Sequence, residues 1–187
     1  MIRAIITDFD GTLVDTFEAN YTAYRMAFQR YGLEISREQY QSCFGLRFDA
    51  FMDAMMIVDA SLRKAIKEEK AHVYPQCFSH LEPNTTLISF IRKAKAAGVK
   101  TAIASTAQQG NLMNVLQHLQ LDGLFDMIIA GDAVKEGKPN PEIYLTSMSL
   151  LGVNPSETLI FEDSEVGLLA AERSGANVIK ITKDYYN

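Results

Sequence analysis

Cysteine is scarce in this chain. Cys43 and Cys77 are its two, too few for a disulfide framework and without the paired spacing of a zinc site. Proline is scarce too, five in 187 residues, and no low-complexity run occurs; with 48% apolar and 22% charged residues, disordered and fibrous classes are excluded and a globular chain is expected. Long apolar stretches are missing. Runs such as residues 102–104 and 127–130 fall far short of the roughly 20 residues that span a bilayer, so no membrane helix is expected. Residues 1–6 carry a single arginine and are too short for the apolar segment of a secretory signal, which makes a cytoplasmic location the expectation. Nor is there a basic cluster. At a net charge of −5 the chain lacks the positive stripe that a nucleic acid partner needs. The same shortage of positive charge opposes binding of a phosphate ester, a difficulty that a metal ion would remove.

What is present is an alternation of short apolar runs with longer amphipathic segments. Residues 2–7, 99–104, 127–130, 158–162 and 178–181 read as near-continuous apolar strands, the kind buried on both faces of a parallel sheet. Between them the period turns helical, over residues 86–97, 109–119 and 166–173. Another helix opens at Asn140-Pro141, with proline in its first position, and ends before Gly152. The stretch from Thr16 to about His80 reads as helical throughout. Phe17, Tyr21, Tyr24, Phe28 and Tyr31 share one face and Gly32 stops that helix, Ser36 and Gln39 form a capping-box signature, and helices follow over residues 47–57 and 61–73. That aromatic stripe, with Met52, Met55 and Met56, is expected to pack inside that segment. The expected architecture is α/β: a Rossmann-like, five-stranded parallel core sheet with helices on both faces, and an all-helical insert after strand one. The core would comprise residues 1–15 and 81–187, the insert residues 16–80.

Ligands of such sheets bind at the carboxyl ends of the strands, and four groups of polar residues fall there. The first is Asp8-Phe9-Asp10-Gly11-Thr12. Two carboxylates two residues apart on a loop leaving a buried strand are costly to hold together unless a cation joins them. Asp8, ending the strand, is the candidate nucleophile; Asp10 could protonate a leaving alcohol and later deprotonate water. A polar turn is the ordinary alternative, and a calcium loop is disfavoured because Gly11 stands fourth in the run instead of sixth. The second group is Ser105-Thr106, whose hydroxyl and backbone N–H groups could bind phosphate oxygens at a helix start or merely cap the helix. The third is Lys138 on the proline-stiffened loop Gly137-Lys138-Pro139-Asn140-Pro141, a phosphate-binding cation or a solvated lysine. The fourth is Glu162-Asp163-Ser164, where Asp163 with Asp8 would supply the one or two carboxylates that Mg2+ favours and Ser164 would cap the next helix. His72, His80 and His118 match no catalytic spacing.

Taken in this order, the residues resemble the haloacid dehalogenase-like superfamily of phosphohydrolases, in the branch of phosphoglycolate phosphatase and beta-phosphoglucomutase that carries a helical cap after the first motif. Asp8-Phe9-Asp10-Gly11-Thr12-Leu13-Val14-Asp15-Thr16 resembles the first motif, Ser105 the second, and Gly137-Lys138-Pro139-Asn140-Pro141-Glu142-Ile143-Tyr144 the third. Phe161-Glu162-Asp163-Ser164, followed by Gly167, Ala170-Ala171 and Gly175, resembles the fourth. The resemblance implies that Asp8 becomes phosphorylated while Asp10 serves as general acid and base. It implies that Asp8, the backbone carbonyl of Asp10, and Asp163 hold Mg2+ with Glu162 as an accessory carboxylate, and that Ser105 and Lys138 hold the transferring phosphoryl group. The implied activity is hydrolysis of a small phosphorylated metabolite through an aspartyl phosphate, by a monomer or small homo-oligomer.

Within the insert, Phe44-Gly45-Leu46-Arg47 stands where relatives carry a substrate-specificity segment. Arg47 could bind a second phosphate or a carboxylate there, or lie solvated at a helix start. Phosphomutases of this branch carry a Lys-Gly-x-Ser-Arg pattern at that place; Phe44 replaces the lysine, which favours a phosphatase over a mutase. Asn84 stands where relatives usually have glycine; asparagine tolerates a left-handed backbone, so the fold is not threatened. A phosphate-accepting signalling module is a reading of another class, but it needs neither the insert of roughly 65 residues nor an acid-base residue two positions after the acceptor.

Overall fold

A computed structural model describes residues 1–182. The chain divides into two compact units, one formed by Met1–Asp15 with the chain from Glu82 onward, the other by Thr16–Leu81. The strands are β1 (Ala4–Thr7), β2 (Val14–Asp15), β3 (Glu82–Pro83), β4 (Lys100–Ala104), β5 (Met127–Ile129), β6 (Thr158–Glu162) and β7 (Asn177–Lys180). Five of them make one parallel sheet in the order β5-β4-β1-β6-β7, while β2 and β3 pair antiparallel as a small separate ladder. Ala4 stands opposite both Lys100 and Thr158, and Thr7 opposite both Ile103 and Phe161. A central strand hydrogen-bonded on both edges and covered on both faces has no use for a polar face, which is why Ala4, Ile5, Ile6 and Thr7 are all buried. Moving outward from β1, the chain first builds β4 and β5, then returns to build β6 and β7 on the other side. The order therefore reverses beside β1, and a crevice at the carboxyl ends of β1 and β6 follows from that topology.

The Thr16–Leu81 unit is helical, with α1 (Phe17–Arg30), α2 (Arg37–Cys43), α3 (Phe48–Ala54), α4 (Ala60–Val73) and a 3-10 segment over Tyr74–His80. The capping box forms as expected: Ser36 Oγ accepts from Gln39 N, and Gln39 Oε1 accepts from Ser36 N. The core of this unit gathers Ala27, Phe28, Ile35, Tyr40, Phe51, Met52 and Ile66, and the Tyr40 ring packs against Phe17, Tyr21, Tyr24, Phe44 and Phe51. Two expectations fail here. Tyr31 is exposed and not part of the buried stripe, because α1 ends at Arg30 and the chain turns through Gly32 at φ +70°. Met56 does not pack: α3 stops at Ala54, Met56 takes a left-handed φ of 57°, and its side chain is 86% exposed.

In the first unit the sheet is covered by α5 (Thr85–Ala96), α6 (Gln109–His118), α7 (Glu142–Leu151) and α8 (Glu165–Arg173). Ile143, Tyr144, Met148 and Leu151 of α7 join Ala170 and Ala171 of α8 on the face presented by Ala4, Ile6, Ala102, Ala104 and Ile160. Small residues at 102, 104, 170 and 171 let these helices sit close to the strands. Asn84 takes an ordinary backbone. Its φ is −72°, not left-handed; its side chain caps α5 by accepting from Leu87 N and donates to Thr12 O, so an amide replaces what a bare backbone would leave unsatisfied. Pro141 precedes the first turn of α7, which begins one residue later, and Gly152 closes that helix at a left-handed φ of 65°.

Candidate functional site

The carboxyl ends of β1, β4 and β6, with the loop after β5, bring the polar residues together. β1 ends at Thr7, and the Asp8 N–H continues the ladder by donating to Phe161 O at 2.9 Å, so the carboxylate leaves the sheet at its central crevice. The next residues fold tightly: Val14 N donates to Phe9 O at 3.0 Å and Gly11 N to Val14 O at 2.8 Å. Gly11 sits at φ +91°, and a Cβ there would collide with the Asp163 carboxylate. Glycine is thus required twice over, by backbone angle and by close approach. Thr12 Oγ1 donates to Asp163 Oδ1 at 2.8 Å and ties the first loop to the end of β6.

Lys138 is the electrostatic centre. Its Nζ lies 2.5 Å from Asp8 Oδ1 and 2.6 Å from Glu162 Oε1, with the lysine side chain 3% exposed. Two buried carboxylates sharing one buried ammonium hold it charged: although burial favours the neutral amine, Asp8, Tyr144 and Glu162 together push Lys138 well above the usual lysine range. Asp8 moves the same way for other reasons. Burial raises its carboxyl well above the usual range, Lys138 opposes, and Glu162 and Asp163 add like-charge repulsion. Burial and Glu162 raise Asp163 to about 6. This crowding is what a bound cation relieves, and Asp8, Glu162 and Asp163 each offer a carboxylate oxygen within 4.8 Å of one another. An all-oxygen donor set suits a hard divalent cation.

Glu162 is already occupied. Its Oε1 accepts from Lys138 Nζ and from Tyr144 Oη at 3.1 Å, and its Oε2 accepts from Asp163 N, Ser164 N and Ser164 Oγ. Five donors fill the lone pairs of both oxygens, so the residues present fit a cation held by Asp8 and Asp163, with Glu162 fixing the lysine and the turn that carries Asp163. Gly167 makes room for this, since a Cβ there would overlap the Glu162 carboxylate. Ser164 caps α8 as expected, accepting from Gly167 N at 3.1 Å.

Ser105 follows β4, where its N–H donates to Ile129 O and its hydroxyl to Asp10 Oδ2 at 3.4 Å. It is not at a helix start. α6 begins at Gln109, and Ser105 Oγ instead accepts from Ala107 N within the loop. Thr106 lies in the same loop, with its backbone pressed so near Gly131 that a Cβ there would collide with the Thr106 carbonyl. The structure thus brings together Asp8, Asp10, Ser105, Lys138, Glu162 and Asp163 in one unit. Arg47 belongs to the helical unit, at the residue preceding α3. The third motif ends in Tyr144 but the sequence assigns it no role, although a tyrosine on the apolar face of α7, whose buried residues are otherwise Ile143, Ser147, Met148 and Leu151, signals a hydroxyl in need of a partner. Cys43 and Cys77 are both buried and unbridged, and no helix among the described residues is long and apolar enough to cross a membrane.

Comparison with known proteins gives a family model, haloacid dehalogenase-like hydrolase, that matches residues 5–181. The phosphorylated carbohydrates phosphatase of Thermotoga maritima is 32% identical over 180 residues, covering 93% of this chain and 82% of that protein. The beta-phosphoglucomutase of Bacillus subtilis is 25% identical over 184 residues, covering 93% and 80%. Among solved structures, CbbY from Rhodobacter sphaeroides in complex with phosphate superposes with a TM-score of 0.90 at 27% identity, covering 99% of this chain and 88% of that one.

Proposed function

This chain belongs to the haloacid dehalogenase-like hydrolases, and we propose that it is a Mg2+-dependent phosphatase that hydrolyses a small phosphorylated metabolite through an aspartyl phosphate on Asp8. The observation that carries this reading is the convergence of Asp8, Asp163 and the buried Lys138 at the crevice beside β1. Asp8 and Asp163, with the backbone carbonyl of Asp10, would hold Mg2+. Bound there, the ion supplies positive charge against the phosphate oxygens, which a cluster rich in carboxylates would otherwise repel.

The chain's own residues carry the steps. Lys138 holds Asp8 Oδ1, which leaves Oδ2 to attack phosphorus in line with the departing oxygen. The bond from phosphorus to the ester oxygen breaks, and Asp10 gives its proton to that oxygen. Asp10, now a carboxylate, takes a proton from water; the hydroxide attacks phosphorus, inorganic phosphate leaves and the Asp8 carboxylate is restored. Ser105 and the Thr106 backbone bind phosphoryl oxygens, and Lys138 offsets their charge. Glu162 enters as the anchor of Lys138. In this reading the helical unit, residues 16–80, supplies substrate specificity to the core of residues 1–15 and 81–187, with Arg47 as its residue for recognising the non-reacting part of the substrate. Two buried, unbridged cysteines suit a reducing cytoplasm.

Phosphate release from phosphoglycolate, hexose and pentose phosphates, and nucleotides, measured with and without Mg2+ beside an Asp8→Asn control, tests the reading. Mg2+-dependent release lost in the control is expected. Interconversion of a hexose 1-phosphate and 6-phosphate without free phosphate would replace it with a mutase, the activity named for the Bacillus subtilis relative. No turnover of any compound would remove the enzyme reading of this site.

A further inference from the structure

The loop that delivers Lys138 runs from Lys135 to Pro141 and has no strand or helix of its own to hold it. Its first two amides point to a single side chain. Lys135 N donates to Glu142 Oε1 at 3.1 Å and Glu136 N to Glu142 Oε2 at 2.8 Å, so one carboxylate clasps two successive N–H groups from the first turn of α7. A negative group in that turn is also favoured by the helix dipole. Beyond the clasp the loop closes on itself: Asn140 N donates to Gly137 O at 2.9 Å, and Glu142 N donates to Asn140 Oδ1 at 3.0 Å. Arg173 of α8 donates to Pro139 O at 3.0 Å. Lys138 lies between these attachments, and its ammonium must reach two carboxylates at 2.5 and 2.6 Å.

We propose that Glu142 is a positioning residue for Lys138, fixing through the Lys135 and Glu136 amides the loop that places the lysine ammonium against Asp8. The inference rests on the phosphatase reading above, in which Lys138 serves phosphoryl transfer. Two amides held by an ionised carboxylate make stronger contacts than neutral pairs do. Losing both frees the loop at its entry, while the Asp8 N–H keeps its bond to Phe161 O and Thr12 keeps its bond to Asp163. The effect on turnover is therefore expected to pass through Lys138.

A double-mutant cycle tests this, with Mg2+-dependent phosphate release from para-nitrophenyl phosphate measured for the unsubstituted chain, Glu142→Ala, Lys138→Ala and the double variant. Glu142→Ala should lower kcat/KM by roughly 10- to 100-fold, in keeping with the roughly 100-fold cost of a 1 Å misplacement. In the Lys138→Ala background the same change should cost less than about twofold, the coupling expected of residues that act as one unit. Amide hydrogen exchange at Lys135 and Glu136 should quicken in Glu142→Ala while the sheet amides are unchanged. Glu142→Gln keeps one carbonyl acceptor and should fall between, and it carries the test if the alanine variant does not fold. Equal losses in both backgrounds, or unaltered exchange at Lys135 and Glu136, would overturn the positioning role while leaving the phosphatase reading intact. No release by the unsubstituted chain from this ester or any in the panel would remove that reading and this inference with it.

Discussion

Asp163→Asn should stabilise the metal-free protein at neutral pH even as it removes activity. Asp163 is half-buried beside Glu162 and ionises in the folded chain at about 6, against an ordinary value of 3.8. Because the folded value is raised, protonated Asp163 favours the folded state below pH 3.8, and that contribution disappears as pH rises through about 6. At pH 7.5 the ionised group is thus held at a disadvantage of about 3 kcal/mol, an upper figure because the site is partly open to solvent. Asparagine keeps the carbonyl that accepts from Thr12 Oγ1 and carries no charge. Allowing for imperfect amide contacts, a gain of roughly 1–3 kcal/mol is expected, or about 3–10 °C in Tm for a chain of this size. Differential scanning fluorimetry in chelator at pH 7.5 and pH 5 reads this directly. The advantage should shrink at pH 5, where native Asp163 is largely protonated. Adding Mg2+ at about 100 times its Kd should raise the unsubstituted chain by about 2.7 kcal/mol and leave the asparagine variant nearly unmoved. A variant that melts lower than the unsubstituted chain in chelator at pH 7.5 would refute the reasoning.

Lys138→Ala leaves Asp8 and Glu162 buried without their shared cation and should destabilise the metal-free chain by roughly 3–5 kcal/mol at pH 7.5, with the loss reduced at lower pH as Asp8 protonates; chemical denaturation at two pH values checks it. Tyr144→Phe removes one donor from Glu162 Oε1 without changing packing and should cost roughly 1–3 kcal/mol in urea unfolding, with the sheet unaltered by circular dichroism. Gly167→Ala drives a methyl group into the Glu162 carboxylate and should cost roughly 1–3 kcal/mol and lower phosphate release, whereas Gly110→Ala, which meets open space, should leave both nearly unchanged.

Much of this molecule could be read in its sequence, for physical reasons that differ from part to part. The parallel sheet declared itself because β1 and β4 must be apolar on both faces, and the carboxyl-end residues followed from where such strands stop. The capping box at Ser36 and Gln39, and Gly152 after α7, are local signals that the fold does not override. What escaped depends on contacts across long separations. That Glu162 would take five donors, one from Tyr144 eighteen residues earlier, is a property of the packed site and not of any motif. Asn84 can tolerate a left-handed backbone but does not need one; its amide donates to Thr12 O, 72 residues away, and its side chain makes an ordinary cap, neither of which its sequence neighbours reveal. Met56 and Tyr31 were placed inside because helical periodicity was extended past the true ends of α3 and α1, where the backbone turns and periodicity no longer points anywhere.

The central claim is that Asp8 carries the phosphoryl group. Acid quench during turnover with Mg2+ and substrate, followed by borohydride reduction and peptide mass spectrometry, should reveal homoserine at position 8, absent without substrate and absent in Asp8→Asn. Steady phosphate release with no reduced residue at position 8, or with the acyl phosphate trapped on another carboxylate, would contradict the account.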